Sequence, residues 1–123
     1  MMKDHKEFLF KSKVEDGEKL IFSILKHKPD LLILELDLPN SNGVASLREI
    51  RSLFPELKVL VVSYHPEEIY AVSSLKAGAN GYISKTRSVK EIRQAIITVS
   101  KGGNFLSDDI KEQVNYRKNG AIL

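Results

Sequence analysis

The stretch PDLLILELDLPNSNG, residues 29–43, decides how this chain is read. Its apolar run, 31–36, is interrupted only by Glu35, and turn-forming residues bound it: Pro29 and Asp30 before, Pro39, Asn40 and Gly43 after. A run this short and this apolar suits a strand buried on both faces. Residues two apart on a strand point the same way, so Glu35 and Asp37 place two carboxylates on one side, at the carboxyl end of a strand made for a core.

Working outward, the same pattern recurs. LKVLVVS (57–63) is a second buried strand, GYIS (81–84) a brief third, and EFLFKSKV (7–14), with Phe8, Phe10 and Val14, an earlier one. Helical periodicity fills the intervals. Leu20, Ile21, Ile24 and Leu25 mark one stripe; Val44, Leu47, Ile50 and Phe54 mark another, which Pro55 stops. PEEIYAVSSLKAG opens on Pro66 and closes at Gly78. The last helix, 88–101, starts at Ser88 with Glu91 three residues on, buries Ile92, Ala95, Ile96 and Val99, and stops at Gly102. The Asn-Gly pairs at 42–43, 80–81 and 119–120 read as turns. Strands alternating with helices predict parallel strands joined by right-handed crossovers, an α/β sheet covered on both faces.

Composition narrows the function. At 123 residues the chain suits one domain with one core. It has no cysteine, which excludes thiol chemistry and thiolate metal sites and suits a cytoplasmic protein. No apolar run approaches the roughly 20 residues that span a bilayer, and the start has no signal-peptide pattern. The net charge of +3 is spread along the chain, so no dedicated nucleic-acid surface is expected. His5, His27 and His65 fall on separate elements, which argues against a metal site. There is no nucleophile–base pair and no Gly-rich phosphate loop, so an enzyme is the least favoured class.

In parallel α/β sheets, chemistry collects at the carboxyl ends of the strands. That edge gathers Glu35 and Asp37, Ser63, and Lys85. An ammonium within reach of a carboxylate lowers its pKa and is held in place by it. Such a set binds phosphate or, with more carboxylates, Mg²⁺.

These motifs resemble the receiver domain of two-component response regulators, of the LuxR/NarL type that precedes a helix-turn-helix. KPDLLILELDLPNSNG is similar to the family's phosphoacceptor strand, with Pro39 four and Gly43 eight residues after Glu35. VLVVSYH matches the strand of the switch hydroxyl, giving Ser63, and LKAGANGYISK matches the strand of the switch aromatic and the phosphate-contacting lysine, giving Tyr82 and Lys85. GGNFLS resembles the exit into a linker. The resemblance covers about residues 7–107. It implies a doubly wound, flavodoxin-like (CheY-like) three-layer sandwich, a receiver-like domain over 1–107, and a tail or start of a linker over 108–123.

Two departures shape the functional expectation. The family's acceptor is Asp, and Glu35 stands in its place. One extra methylene moves a carboxylate by about 1.5 Å, and misplacement on that scale costs about a hundredfold in rate. The family also opens with a strand ending in an acidic pair that holds Mg²⁺, then a helix; the chain is expected to lack both. No cofactor is therefore expected, and Mg²⁺ only if that pair is restored. Asp37 is a possible secondary acidic site. The implied function is a degenerate receiver acting through protein contacts, with a sensor kinase or downstream regulator as partner and no direct binding to nucleic acid or membrane. Its expected contact surface is the face of helices 66–77 and 88–101 and strand 81–84. The apolar surface left by the missing elements implies a homodimer, through the 88–101 face or through strand 7–14. The alternative is a truncated phospho-accepting receiver of a DNA-binding regulator.

Overall fold

The computed structural model describes residues 17–36 and 43–112. The strand expected at 7–14, Asp37 and residues 113–123 lie outside the described residues. A turn of 3₁₀ helix, Gly17–Lys19, leads into α1, Leu20–His27. Then come β1 (Leu31–Leu34), α2 (Gly43–Leu53), β2 (Lys58–Ser63), α3 (Glu67–Lys76), β3 (Gly81–Ser84) and α4 (Val89–Ser100). A last helical turn covers 108–112.

The strands are parallel in the order β1-β2-β3, with Leu34 level with Val61 and Ser63 level with Ser84. Alternation along them divides the core in two. Leu34, Val59, Val61 and Tyr82 face α1, α2 and α3, meeting Leu20, Ile24, Leu47, Ile50 and Ala71. Leu60, Val62 and Ile83 face α4, meeting Ala95, Ile96 and Val99. The result is the expected three-layer α/β sandwich with helices on both faces of a parallel sheet.

Local chemistry sets most boundaries. Ser88 accepts from the Glu91 N–H at 3.1 Å, and a capping box begins α4. α4 has no basic residue in its last turn, and Lys58 of β2 donates to the Ser100 carbonyl instead, at 3.1 Å. Three expectations need adjustment. β1 ends at Leu34, two residues early, because Glu35 and Leu36 leave the ladder while Leu36 stays buried. Leu25, read as part of the α1 stripe, is 57% exposed; the helix is short and only Leu20 and Ile24 reach the core fully. Asn80-Gly81 is no reversal. Gly81 opens β3, and the Asn80 side chain accepts from the Val59 N–H and from Arg51, each at 2.9 Å, stitching β3 to β2 and α2.

Candidate functional site

β1, β2 and β3 run parallel and in close register, so the residues just past their ends meet at one edge. Lys85 reaches back from the end of β3 and its Nζ lies 2.9 Å from Glu35 Oε2, beyond β1. The same ammonium stands 4.9 Å from the centre of the Tyr64 ring, just past β2. Its backbone N–H donates to the Ser63 carbonyl at 2.8 Å, continuing the β2–β3 ladder one step beyond the strand. Three strand ends thus contribute one carboxylate, one aromatic face and one cation to a single spot. Lys85 retains 21% side-chain exposure and Glu35 48%, so the pair is reachable from solvent.

Ser63 and Tyr82 sit beneath this edge. Ser63 is fully buried at the end of β2, and its Oγ accepts the His65 N–H at 3.0 Å. Tyr82 is also fully buried, its hydroxyl donating to the His65 carbonyl at 2.9 Å. The His65 ring is tilted against Tyr70 of α3, 4.8 Å between centroids. One residue of the β2–α3 loop, His65, therefore ties to the Ser63 hydroxyl through its N–H, to Tyr82 through its carbonyl, and to α3 through its ring. Of the residues expected at the edge, Glu35 and Lys85 are in contact and Ser63 joins Lys85 through the backbone.

The receiver resemblance implies Mg²⁺ at such a site. Among the described residues no group of three or more His, Asp or Glu side chains is placed to hold a metal ion, and the Glu35 carboxylate is already paired with Lys85. The described donors do not fit Mg²⁺.

A second polar cluster lies behind this edge and was not expected from the sequence. Glu67, the first residue of α3, is 6% exposed. Its Oε2 accepts the Ser84 N–H at 2.9 Å, and its Oε1 accepts from Arg87 Nη2 at 2.5 Å and from the Ser107 hydroxyl at 3.0 Å. Burial pushes the Glu67 carboxyl up, but the hydrogen bonds from Arg87, Ser84 and Ser107 outweigh it and hold it below the usual carboxylate range. The Glu67 hydrogen bond in turn raises the Arg87 pKa. The sequence signal was faint. Glu67 and Glu68 follow Pro66 as two acids favoured by a helix N-terminus, and nothing local marks which one is buried.

Residues 4–97 match the response regulator receiver domain family. The chain is 32% identical over 106 residues to the transcriptional regulatory protein DegU of Brevibacillus brevis, covering 85% of this chain and 45% of DegU. It is 34% identical over 113 residues to the oxygen regulatory protein NreC of Staphylococcus haemolyticus, covering 87% of this chain and 52% of NreC. Among solved structures it resembles a LuxR-family two-component response regulator from Aurantimonas sp. SI85-9A1, with TM-score 0.74 and 26% identity over 84% of this chain and 74% of that one. Its fold also matches the isolated REC domain of RcsB from Salmonella enterica serovar Typhimurium, with TM-score 0.81 and 19% identity over 90% and 83% of the two chains. The chain spans about half the length of the curated relatives it matches.

Proposed function

Because this chain belongs to the response regulator receiver domain family, we propose that it signals through protein contacts, with Glu35 in the acceptor position and without efficient phosphoryl acceptance. The observation that carries this reading is the Glu35–Lys85 pair at 2.9 Å. The lysine that would meet a phosphoryl oxygen is neutralised by the longer carboxylate itself, and the described residues offer no metal clamp for the transfer. Ser63, Tyr82 and Lys85 keep the switch and phosphate-contact positions. Tyr82 is held inward by its hydrogen bond to the β2–α3 loop. Asp37 is the secondary acidic site.

In this reading residues 1–107 are the receiver unit and 108–123 a carboxyl-terminal tail or the start of a linker. The chain works in the cytoplasm, with a sensor kinase or a downstream regulator as partner. Among the described residues no helix is long and apolar enough to cross a membrane. Self-association, through the 88–101 face or through strand 7–14, belongs to the same reading.

Incubation with acetyl phosphate and Mg²⁺, followed by intact mass spectrometry, tests the reading. No mass change is expected. A stoichiometric gain of one phosphoryl group refutes it, and mapping that gain to Asp37 identifies a relocated acceptor. One observation favours a second reading, a phospho-accepting receiver at the head of a DNA-binding regulator: relatives such as DegU are about twice as long and named for transcriptional regulation. The same phosphorylation assay on the native protein separates the two, a gain of one phosphoryl group favouring the second.

A further inference from the structure

After α4 the chain turns at Gly102, φ +92°, and runs back along the outer edge of β3. Phe105 pairs in parallel with Gly81. The Tyr82 N–H donates to the Phe105 carbonyl at 3.1 Å, and the Phe105 N–H to the Asn80 carbonyl at 2.9 Å. Gly81 makes this approach possible: a Cβ there would stand 3.0 Å from Leu60 and Val99 methyls and 3.1 Å from Phe105 Cβ. Alternation then splits the segment across the sheet edge. Phe105 packs into the α4-side core, while Leu106 and Ile110 pack into the other, Ile110 being 1% exposed.

Charge fastens what the apolar contacts seat. Ser107 donates to buried Glu67, and Arg87 bridges from Glu67 to Asp109, 3.2 Å away. The edge of β3 would otherwise offer unpaired backbone groups for strand addition. Residues 105–112 cover it, on the face where partners were expected to dock.

The same few residues join this fastening to the Glu35 site. Within the turn 84–87, the Ser84 N–H belongs to Glu67, the Lys85 ammonium to Glu35, and the Arg87 guanidinium to Glu67 and Asp109. The turn is closed by the Arg87 N–H donating to the Ser84 carbonyl at 3.1 Å, and by a 2.7 Å contact between the Ser84 and Thr86 hydroxyls. A movement of the backbone at Lys85 would carry with it Ser84 and Arg87, the neighbours that hold the tail.

We propose that residues 105–112 are a latch that covers the edge of β3, that Glu67 and Arg87 hold it shut, and that the Glu35–Lys85 pair controls its closure through the turn 84–87. Opened, it leaves the β3 edge and the apolar seats of Phe105 and Ile110 uncovered. The latch does not depend on phosphoryl transfer and stands whichever role Glu35 has.

Hydrogen exchange of the full chain, followed amide by amide by NMR, tests the proposal. The Tyr82, Phe105 and Lys111 amides report the latch, and those of 59–62 report the core. Glu67→Gln is expected to speed exchange of the reporters about tenfold with the core amides unchanged. Asp109→Asn, an exposed substitution that spares the core, is expected to give about threefold at the same amides. Lys85→Gln, which empties only the other end of the turn, is expected to speed the reporters by about threefold as well. Reporters that stay as protected as in the wild type in Glu67→Gln and Asp109→Asn, or that open only in step with 59–62, refute the latch. Reporters unmoved by Lys85→Gln refute the coupling, and the proposal with it.

Discussion

Among the described glycines, Gly78 is the one where Gly→Ala is expected to cost most, and the structure gives the reasons separately. Gly78 follows α3 with φ +120°, a conformation that strains a residue bearing a side chain. Holding alanine there costs about 1–3 kcal/mol. The added Cβ would also stand 2.7 Å from both Cβ and Cγ of Arg51. Those atoms are the root of the side chain, so Arg51 cannot yield by moving its tip alone. Its guanidinium donates to the carbonyls of Gly78 at 2.9 Å, Phe54 at 3.1 Å and Pro55 at 2.9 Å, and to Asn80 Oδ1 at 2.9 Å. The Pro55 bond is exposed and water replaces it; the other three are partly buried. At about 1 kcal/mol net for each, displacing Arg51 adds about 2–3 kcal/mol. The expected total is about 3–6 kcal/mol, a large part of the 5–15 kcal/mol, roughly, that holds a domain of this size. Urea titration followed by circular dichroism measures it. A double-mutant cycle with Arg51→Gly, which removes both contacted atoms, isolates the collision: in that background Gly78→Ala should cost only its backbone strain, leaving a coupling of about 2–3 kcal/mol. A loss below about 1 kcal/mol, or additive costs, would refute the reasoning.

The remaining predictions concern buried polar groups. The Glu67 carboxyl titrates lower in the folded than in the unfolded chain, so its contribution is complete above the unfolded carboxylate value of about 4.3 and disappears as pH falls through the lower folded value. Unfolding free energy should therefore fall more steeply in wild type than in Glu67→Gln from about pH 5 to pH 3; equal slopes would contradict the assignment. Ser74, fully buried in α3, has a hydroxyl with no hydrogen-bond partner. Ser74→Ala should be neutral or stabilise by up to about 1 kcal/mol in thermal melts, through the lost desolvation cost and the better helix propensity of alanine. A clear loss of stability would show that the hydroxyl is satisfied in solution.

Legibility in the sequence followed the range of the interaction. β2 and β3 were readable because VLVV and GYIS are buried on both sides and leave no ambiguity of face. The start of α4 was readable because Ser88 and Glu91 are three residues apart. Lys85 could be placed at the Glu35 edge by topology alone, since parallel strands put all their carboxyl ends together. What failed depended on distant partners. GGNFLS, 102–107, read as the way from the last helix into a linker, and nothing in it told that Phe105 and Leu106 pack against opposite cores, since a single Phe-Leu pair has too short a period to reveal a docked segment. Glu67 is joined to Ser107 across 40 residues, and no window of sequence holds both.

Folding gains little from the Glu35–Lys85 pair. Glu35 is 48% exposed, and such partly solvated pairs contribute about 0–1 kcal/mol. The Tyr64 ring over the same ammonium belongs to a residue that is 68% exposed, where a cation–π contact adds about 0.5–1 kcal/mol. Both are small beside the roughly 3–5 kcal/mol at stake when a buried charge loses its partner, as Glu67 would without Arg87. Stability therefore explains the Glu67 cluster and leaves the juxtaposition at the strand ends unexplained. Three residues that follow three different strands meet in the open, where their contact is worth least to the fold and where a partner can reach them. An arrangement with weak energetic reason and good access supports a signalling role for that edge, and the turn 84–87 gives it a physical route to the tail.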